Sequence, residues 1–318
     1  IQNNSTQRHE RMKKILVTGA AGFLGSHLCD SLLEKNYQVL GIDNFFRGKK
    51  ENLPKHKLFT FQEVDCLDIN ALRIAFDSFN PDIVIHYAAI NGTRYFYDIP
   101  YQVCNDNIKM TQNVLICCNN QNIEQIIYAS SSEVYGPNPK TPTKEIEPIE
   151  LYTHATRDSY ASSKAIGEFL VKLWAESNNK NYLIIRPFNT YGPRMATNGY
   201  GQVIPEFIER IKTKEQFFMY GDGNQTRSFC YVTDHAAIVS ELLTQSKNEI
   251  LNIGFDEEIS IYDLAKKIHN IMSIEFKPTF KEAWSHDTKW RKPDISKVLN
   301  IYTKEFTKLS TGLKLMIT

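Results

Sequence analysis

The segment KILVTGAAGFLGSHL, residues 14–28, joins a short apolar run to a helical pattern. Residues 14–19 are typical of a buried strand, and the leucines that follow share one face of a helix predicted over 23–35. Three glycines occupy the turn between these elements: Gly19, Gly22 and Gly25. Glycines at such a turn let the backbone approach a pyrophosphate, which rests against the amides at the start of the helix. The spacing is GxxGxxG, and in this strand–turn–helix context it predicts a dinucleotide site rather than only a tight turn.

A carboxylate ends the second predicted strand. Asp43 closes the apolar run 38–43, where its side chain can accept hydrogen bonds from both ribose hydroxyls of a dinucleotide. A carboxylate would repel a 2′-phosphate, so this residue favours NAD over NADP. Two alternatives stay open. Arg47 and Lys49 are close enough in sequence to hold a 2′-phosphate, and Asp43 could merely start a turn before Asn44.

The alternation of strand and helix continues along the chain. Strands are predicted at 14–19, 38–43, 58–65, 82–89, 123–131 and 182–189. Helices are predicted at 23–35, 69–78, 105–120, 158–177, 203–213, 234–244 and 260–272. Continuous apolar strands that alternate with helices indicate a parallel sheet with both faces covered.

The predicted fold class is therefore α/β, a Rossmann-type doubly wound parallel sheet with a smaller C-terminal substrate-binding lobe. We divide the chain into a flexible extension at 1–12 and an NAD-binding Rossmann domain at 13–190. The remainder, 191–318, is predicted to be mainly the C-terminal substrate-binding lobe, because the regular alternation decays there into loops.

Composition and charge narrow the classes of partner. The 318 residues are 42% hydrophobic and 23% charged, and the formal net charge is +1. That balance gives no electrostatic support for binding nucleic acid or membrane surfaces, and no apolar run approaches the roughly 20 residues that span a bilayer. The six cysteines form no CxxC pair and no His/Cys ligand spacing. We therefore expect a cytoplasmic protein with reduced thiols and with no metal, nucleic acid or membrane partner.

Tyr160 and Lys164 lie one turn apart on a predicted helix and hence on one face. A lysine ammonium near a phenol stabilises the phenolate and lowers the phenol's pKa, which would make Tyr160 an acid and base near neutral pH. A solvated pair on the helix surface is the alternative. The glycine turn upstream and the serines that end the strand at 123–131 favour the catalytic interpretation.

Polar residues end that strand in the stretch IIYASSSEVYG, residues 126–136. Doubly wound folds present their ligands at the carboxyl ends of the strands. The sequence therefore predicts that the serines and the carboxylate at 130–133 lie at a site and not in a core.

Together these motifs resemble the extended short-chain dehydrogenases/reductases, in the NAD-dependent nucleotide-sugar epimerase/dehydratase group. The resemblance runs from about Lys13 to Leu315. The motifs that carry it are TGAAGFLG (18–25), DNFFRGK (43–49), HYAA (86–89), SSSEVYG (130–136), YASSK (160–164), RPFNTYGPRM (186–195), GDGNQTRSFCYVTD (221–234) and RKPDISK (291–297).

The resemblance implies that Tyr160 takes the proton of a sugar 4-hydroxyl while the hydride from C4 passes to NAD. Ser130 or Ser131 would hydrogen-bond the same oxygen, and Lys164 would also hold the nicotinamide ribose. The residues implied for the cofactor are Gly19, Gly22, Phe23, Leu24, Gly25, Asp43, Asn44, Asp65, Cys66, Ala88, Ala89, Asn107, Ser130, Tyr160, Lys164 and Pro187. Those implied for a nucleotide-diphosphate sugar substrate are Ser132, Asn189, Arg227 and Arg291. Arg227 could instead form a surface ion pair.

The reaction depends on Glu133. After oxidation at C4 the C5 proton becomes acidic, and a positioned carboxylate can remove it and drive loss of a 6-hydroxyl. Glu133 lies where dehydratases that resemble this chain place that base. The first prediction is therefore a 4,6-dehydratase, with Ser131, Glu133, Tyr160 and Lys164 as the catalytic residues.

Three other functions stay open. A 4-epimerase needs no such base and is the second prediction. A nucleotide-hexuronate decarboxylase is the third, because SEVYG and RKPDI agree with that group whereas 90–98 and YASSK depart from it. A non-catalytic NAD(H)-binding protein comes from a different class, and Glu133 would then be only a hydrogen-bond partner in a turn. The resemblance also implies a homodimer built from the helices at 105–120 and 158–177.

Overall fold

Seven parallel strands form the central sheet of the protein, which a computed structural model describes for residues 11–196, 202–213, 216–282 and 288–317. All strands of the described residues, in this sheet and in three smaller ones, are β1 (Lys14–Thr18), β2 (Gln38–Asp43), β3 (Phe59–Glu63), β4 (Ile83–His86), β5 (Gln125–Ala129), β6 (Asn181–Pro187), β7 (Thr190–Tyr191), β8 (Phe218–Tyr220), β9 (Thr226–Ser228), β10 (Cys230–Tyr231), β11 (Glu249–Ile253), β12 (Glu258–Ser260), β13 (Thr279–Lys281) and β14 (Trp290–Arg291). The sheet order is β11-β6-β5-β4-β1-β2-β3, and every neighbouring pair is parallel.

Helices cover both faces of this sheet. The α-helices of the described residues are α1 (Phe23–Glu34), α2 (Ile69–Phe79), α3 (Thr93–Asp98), α4 (Pro100–Cys118), α5 (Asp158–Ser177), α6 (Val203–Lys212), α7 (Val232–Gln245), α8 (Ile261–Ile271), α9 (Ser296–Leu299) and α10 (Leu309–Ile317). One apolar cluster joins α2, α4 and α5 to the sheet, and a second joins α1 and α7 to its other face. The predicted α/β Rossmann-type fold is thus confirmed.

The second half of the chain contributes more to the sheet than the sequence pattern indicates. Strand β11 adds the seventh strand beside β6, and α7 packs against α1. No strand was predicted at β11, because a short apolar run flanked by polar residues has no periodicity that identifies it. The boundary near 190 stays a prediction, since the chain returns to the first sheet after it.

Two further differences concern the segment after β4. The helix predicted at 105–120 begins at Pro100, which suits the first helical position because proline has no amide hydrogen to leave unpaired there. The short helix α3 precedes it and was not predicted, and it lies against α4 and α5.

The remaining elements form a smaller unit with its own apolar cluster, built around α6, α8 and α10. Three short β-sheets accompany it, of which β12, β9 and β14 make one. Among the described helices, none has both the length and the apolar character needed to cross a membrane.

Candidate active site

A cleft of about 1180 Å³ lies where the strands of the central sheet end, between that edge and the smaller unit. It brings together residues that are far apart in sequence. The predicted site residues that line it are Gly19, Gly22, Phe23, Leu24, Gly25, Asp43, Asn44, Asp65, Cys66, Ala88, Ala89, Ser130, Ser131, Ser132, Glu133, Tyr160, Lys164, Pro187, Asn189, Arg227 and Arg291. Asn107 is the predicted residue that lies outside this lining.

The glycine turn has no room for side chains. Gly19 has φ +71°, and a Cβ there would lie 2.9 Å from the backbone nitrogen of Ala88. A Cβ on Gly25 would lie 2.1 Å from the carbonyl oxygen of Gly19. Helix α1 starts at Phe23 without a side-chain cap, so its first amides face the cleft region unobstructed by a capping side chain. This arrangement fits the pyrophosphate of NAD.

Asp43 is positioned at the end of β2 by two backbone amides. Its carboxylate accepts hydrogen bonds from the nitrogen of Ala21 at 3.0 Å and from that of Phe45 at 2.8 Å. Burial raises the pKa of Asp43, although these amides oppose the shift. Arg47 extends towards a different part of the cleft and donates a hydrogen bond to the carbonyl oxygen of Asn91. A carboxylate held in this way fits the adenosine ribose of NAD.

Asn107 acts from beneath the cleft. Its side-chain oxygen accepts from the amide of Ile90 at 2.7 Å, and its amide group donates to the Ile90 carbonyl at 3.2 Å and to Ser163 Oγ at 3.1 Å. It therefore holds the backbone just after Ala88 and Ala89 and supports the cofactor channel that these residues line. Direct contact between Asn107 and the cofactor stays a prediction.

Tyr160 and Lys164 lie together in the cleft on α5, as their spacing predicts. Lys164 Nζ lies 5.8 Å from the centre of the Tyr160 ring and donates to the Ala129 carbonyl at 2.7 Å. Burial lowers the pKa of Lys164 to about 7. Phe96 stacks on the Tyr160 ring at 4.9 Å with an interplanar angle of 14°.

The expectation that Lys164 lowers the pKa of Tyr160 is not met in this structure. Burial raises the pKa of Tyr160 and the charge of Glu133 adds to it, while a hydrogen bond with Ser131 and the charge of Arg47 act in the opposite direction. The ammonium of Lys164 gives its hydrogen bond to Ala129, so burial of the phenol dominates.

The structure separates the roles of the serines that end β5. Ser130 donates to Glu168 Oε1 at 2.5 Å, so its hydroxyl is directed into the protein. Ser131 hydrogen-bonds Tyr160 and accepts from the Glu133 amide at 3.2 Å. Of the two serines that the sequence left open, Ser131 is therefore the one placed to share an oxygen with Tyr160.

Glu133 is held by arginines from two distant segments. Both guanidinium NH2 groups of Arg291 contact the carboxylate, and NH1 of Arg157 lies 3.3 Å from Oε2. Burial alone would raise the pKa of Glu133, but Arg291 and Arg157, with a further contribution from Arg227, lower it to about 2. The carboxylate is thus ionised and ion-paired throughout the working pH range of most proteins.

Arg157 was not predicted from the sequence, although a signal was present. Arg157 immediately precedes α5, one turn before Tyr160, so it had to lie at the same end of the helix as the predicted catalytic tyrosine. Several residues at the far end of the cleft were not predicted either: Val203, Arg210, Tyr220 and Thr288. These belong to the smaller unit, where the sequence pattern was least regular.

The predicted substrate residues of the smaller unit also reach the cleft. Asn189 donates to the Ser228 carbonyl at 3.2 Å, and Arg227 donates to the Thr226 carbonyl at 2.8 Å. Thr288 Oγ1 accepts from Arg291 at 3.0 Å. Short strands therefore form this end of the cleft, and β9 pairs with β12 on one side and with β14 on the other.

Comparison with known proteins gives a match to the family described as "NAD dependent epimerase/dehydratase family" over residues 15–254. The chain belongs to this family. It is 33% identical over 299 residues to a UDP-N-acetyl-alpha-D-glucosaminuronate decarboxylase of Bacillus cytotoxicus, with 90% of each chain covered. The resemblance predicted from the motifs is therefore confirmed.

Solved structures agree with this assignment. A UDP-glucose 4-epimerase of Thermotoga maritima with UDP-glucose matches with a TM-score of 0.89 and 29% identity, covering 96% of this chain and 97% of that one. A UDP-glucose 4-epimerase of Thermus thermophilus in complex with NAD matches with a TM-score of 0.86 and 26% identity, at 96% and 97% coverage. The prediction of NAD as cofactor is confirmed.

Proposed function

We propose that the protein uses NAD to oxidise C4 of a nucleotide-linked hexuronate transiently and then releases the C6 carboxylate as carbon dioxide. The observation that carries this proposal is the pairing of Glu133 with Arg157 and Arg291 beside Tyr160. Two guanidinium groups surround one carboxylate in this cluster, so it carries an excess of positive charge within the cleft. Guanidinium groups bind carboxylates through paired hydrogen bonds, so such a cleft fits a substrate that carries one.

The same pairing disfavours the 4,6-dehydratase that the sequence predicted first. Dehydration requires a carboxylate that removes the C5 proton. Glu133 is already ion-paired with Arg291 and Arg157, and these pairs stabilise its ionised form and make it a weaker base. Decarboxylation requires no base at this position, because the electrons of the C5–C6 bond move into the ketone at C4 as carbon dioxide leaves. The resulting enolate then gains a proton at C5, and C4 regains the hydride that it gave up.

The residues of the cleft have separate roles in the proposed reaction. Tyr160 exchanges the proton of the C4 oxygen, and Ser131 hydrogen-bonds both the phenol and that oxygen. Lys164 supplies positive charge beside the phenol. When bound, NAD supplies the oxidant for C4. Arg227 and Asn189 line the same cleft and would bind the diphosphate of the nucleotide, the role that the family resemblance implies for them.

A 4-epimerase is the second candidate. The oxidation apparatus at C4 serves epimerisation without change, and the similar Thermotoga protein is a 4-epimerase. The gathering of Ser131, Tyr160 and Lys164 in one cleft also favours an enzyme over a non-catalytic NAD(H)-binding protein.

The deciding experiment incubates the protein with nucleotide hexuronates and with the corresponding neutral nucleotide hexoses. We expect a hexuronate to lose the mass of carbon dioxide, with Tyr160→Phe as a folded, inactive control. Loss of the mass of water from a neutral hexose would instead establish a dehydratase. An unchanged mass with altered chromatographic retention would establish an epimerase.

We also propose a homodimer formed through α4 and α5. These helices carry exposed apolar side chains: Tyr101, Ile116, Ile166, Phe169 and Leu173. Three of them follow the i, i+3, i+7 spacing of one helix face. Light scattering should give twice the chain mass, and Phe169→Glu should give the mass of one chain. A single-chain mass for the unaltered protein would overturn the proposal.

A cytoplasmic location also remains a proposal, supported by the cysteines. All six are free thiols, and five are buried. Burial raises the pKa of Cys29 and Cys66, which keeps these thiols protonated and unreactive. Such thiols suit a reducing compartment.

A further inference from the structure

A second carboxylate–arginine pair lies inside the protein, behind the end of β5. Glu168 on α5 and Arg186 on β6 meet through two parallel hydrogen bonds, from Nε to Oε1 at 2.8 Å and from NH2 to Oε2 at 2.6 Å. The two residues are only 5% and 3% exposed. Burial would lower the pKa of Arg186, but the hydrogen bonds and charge of Glu168 outweigh it and raise that pKa. The guanidinium of Arg186 therefore stays protonated in this pair.

The pair reaches the active site through Ser130. The hydroxyl of Ser130 donates to Glu168 Oε1 at 2.5 Å, and its amide donates to the Ile185 carbonyl at 2.8 Å. Ser130 stands between Ala129, whose carbonyl accepts from Lys164, and Ser131, which hydrogen-bonds Tyr160. A carboxylate that fixes Ser130 consequently fixes both of its neighbours.

Glu168 also lies one turn after Lys164 on the same helix. Burial lowers the pKa of the Lys164 ammonium to about 7, and the charge of Glu168 opposes that lowering. The other titratable groups that face Lys164 are Tyr128 from β5, Tyr160 from α5 and His86 from β4. None of these supplies negative charge near neutral pH, because burial raises the pKa of both tyrosines and lowers that of His86 to about 3.

We infer that Glu168 is a positioning residue for the oxidation at C4. It holds Ser130, and with it the Ala129 carbonyl and the Ser131 hydroxyl, and its charge keeps the ammonium of Lys164 in place. This inference rests on the proposed function only in requiring a step at C4, which dehydratases, epimerases and decarboxylases of this kind would share.

The charge of Glu168 is tested by the double variant Glu168→Gln/Arg186→Met. The glutamine can still accept from Ser130, and the methionine fills the space without leaving a buried charge unpaired. Competitive labelling with acetic anhydride, read peptide by peptide, reports how the reactivity of Lys164 changes with pH in the protein without substrate. We expect its midpoint to fall by about one pH unit, because an opposite charge at close range favours the protonated form.

Controls for that experiment lie on the same helix. Lys172 and Glu176 repeat the i, i+4 arrangement at the surface, with 2.6 Å between Nζ and Oε1. Glu176→Gln should shift the profile of Lys172 and leave that of Lys164 unchanged. In the double variant, where Glu176 is intact, the peptide that carries Lys172 serves as the internal reference. An unshifted Lys164 midpoint in the folded double variant would overturn the electrostatic part of the inference, whatever reaction the enzyme catalyses.

The contact with Ser130 is tested separately by Ser130→Ala. We expect a kcat at least tenfold lower, with KM, NAD affinity and the pH profile unchanged, because the strand end is loosened while the charge stays. An unaltered kcat would show that the contact does not position the site. Weaker NAD binding would show that Ser130 serves the cofactor directly, which would also overturn this part of the inference.

Discussion

Two carboxylates in this protein are held by arginines, and their surroundings differ. Glu168 meets one arginine, Arg186, in a closed pair of which both members are buried, and a serine completes its hydrogen bonds. Glu133 meets two arginines in the cleft, where its side chain is 22% exposed and Arg157 is 24% exposed. The first pair has no side open to a ligand, whereas the second lines the cleft of about 1180 Å³.

The difference shows how one kind of interaction can serve two purposes. A closed pair fixes backbone and side chains relative to one another, because any movement would leave a buried charge without a partner. An open cluster leaves part of its charged side chains accessible to a ligand, as the exposed parts of Glu133 and Arg157 are here. We therefore expect changes at the closed pair to cost more stability than changes at the open cluster, and changes at the open cluster to alter which substrate is used.

The largest effect should come from opening the closed pair. Arg186→Met leaves Glu168 buried and unpaired, which should lower the free energy of unfolding by about 3–5 kcal/mol. Arg157→Met, at the partly exposed cluster, should cost about 1 kcal/mol or less. Urea titrations of both variants measure the contrast. Equal losses would mean that the two clusters do not differ in the way their burial indicates.

The next effect concerns the open cluster. Arg291→Met should lower kcat/KM for a nucleotide hexuronate about 100-fold, roughly 3 kcal/mol, because a buried hydrogen-bonded donor to the carboxylate is lost. Binding of the matched neutral nucleotide hexose should change little. Arg291→Lys keeps the charge but loses the paired donors. Its kcat/KM for the hexuronate should therefore lie between the values of Arg291→Met and of the unaltered protein. Steady-state kinetics and calorimetry provide the values, and an equal loss for both sugars would show that Arg291 does not contact the carboxylate.

What the sequence could predict follows from how local each feature is. The turn around Gly19, the carboxylate Asp43 and the Tyr160–Lys164 pair each lie within one short segment, and their spacing alone predicts which edge of the fold they share. The structure places all of them in the cleft. The residues that define each of these features are close together in the chain, so the sequence alone was sufficient to predict that they lie at the site.

The open cluster could not be predicted in the same way. Arg291 is 158 residues from Glu133, and no periodicity connects a loop after β5 to a short strand near the end of the chain. The pKa of Glu133 depends on that contact. The sequence therefore predicted a free base at a position where the structure has an ion pair. Strand β11 escaped for a related reason, because its membership of the sheet depends on pairing with the distant β6.

A smaller effect is expected from removing the charge of Glu133. Glu133→Gln should lower kcat/KM for decarboxylation about tenfold, roughly 1.4 kcal/mol, because the arginines lose a positioning partner while no base is lost. Removal of a true C5 base would cost about 100-fold or more in kcat. Product mass and kinetics separate the two outcomes. Abolished turnover with an intact C4 exchange would restore the dehydratase prediction.

The same residue gives a pH dependence. The folded-state pKa of Glu133 lies at about 2, below its ordinary value of 4.5, so its contribution to stability is present above pH 4.5 and is lost as the pH falls towards 2. Glu133→Gln should therefore be less stable than the unaltered protein at neutral pH and approach it in stability at low pH. Urea titrations at several pH values measure this convergence. A constant difference would contradict the depressed pKa.

The smallest effect should arise at Phe96, which belongs to neither cluster but stacks on the tyrosine between them. The charge of Glu133 from the open cluster acts on Tyr160, and Glu168 of the closed pair lies on the same helix α5. The question is whether α5 alone positions the Tyr160 ring or whether its stacking contact with Phe96 is also needed. Phe96→Leu removes the ring while filling much of its space, and aromatic pairs contribute about 1 kcal/mol beyond their burial. We expect kcat to fall about fivefold with KM unchanged, and Phe96→Trp to restore most of it. If Phe96→Leu keeps full kcat, the helix alone positions Tyr160, and the closed pair behind β5 becomes the main device that orders the catalytic residues.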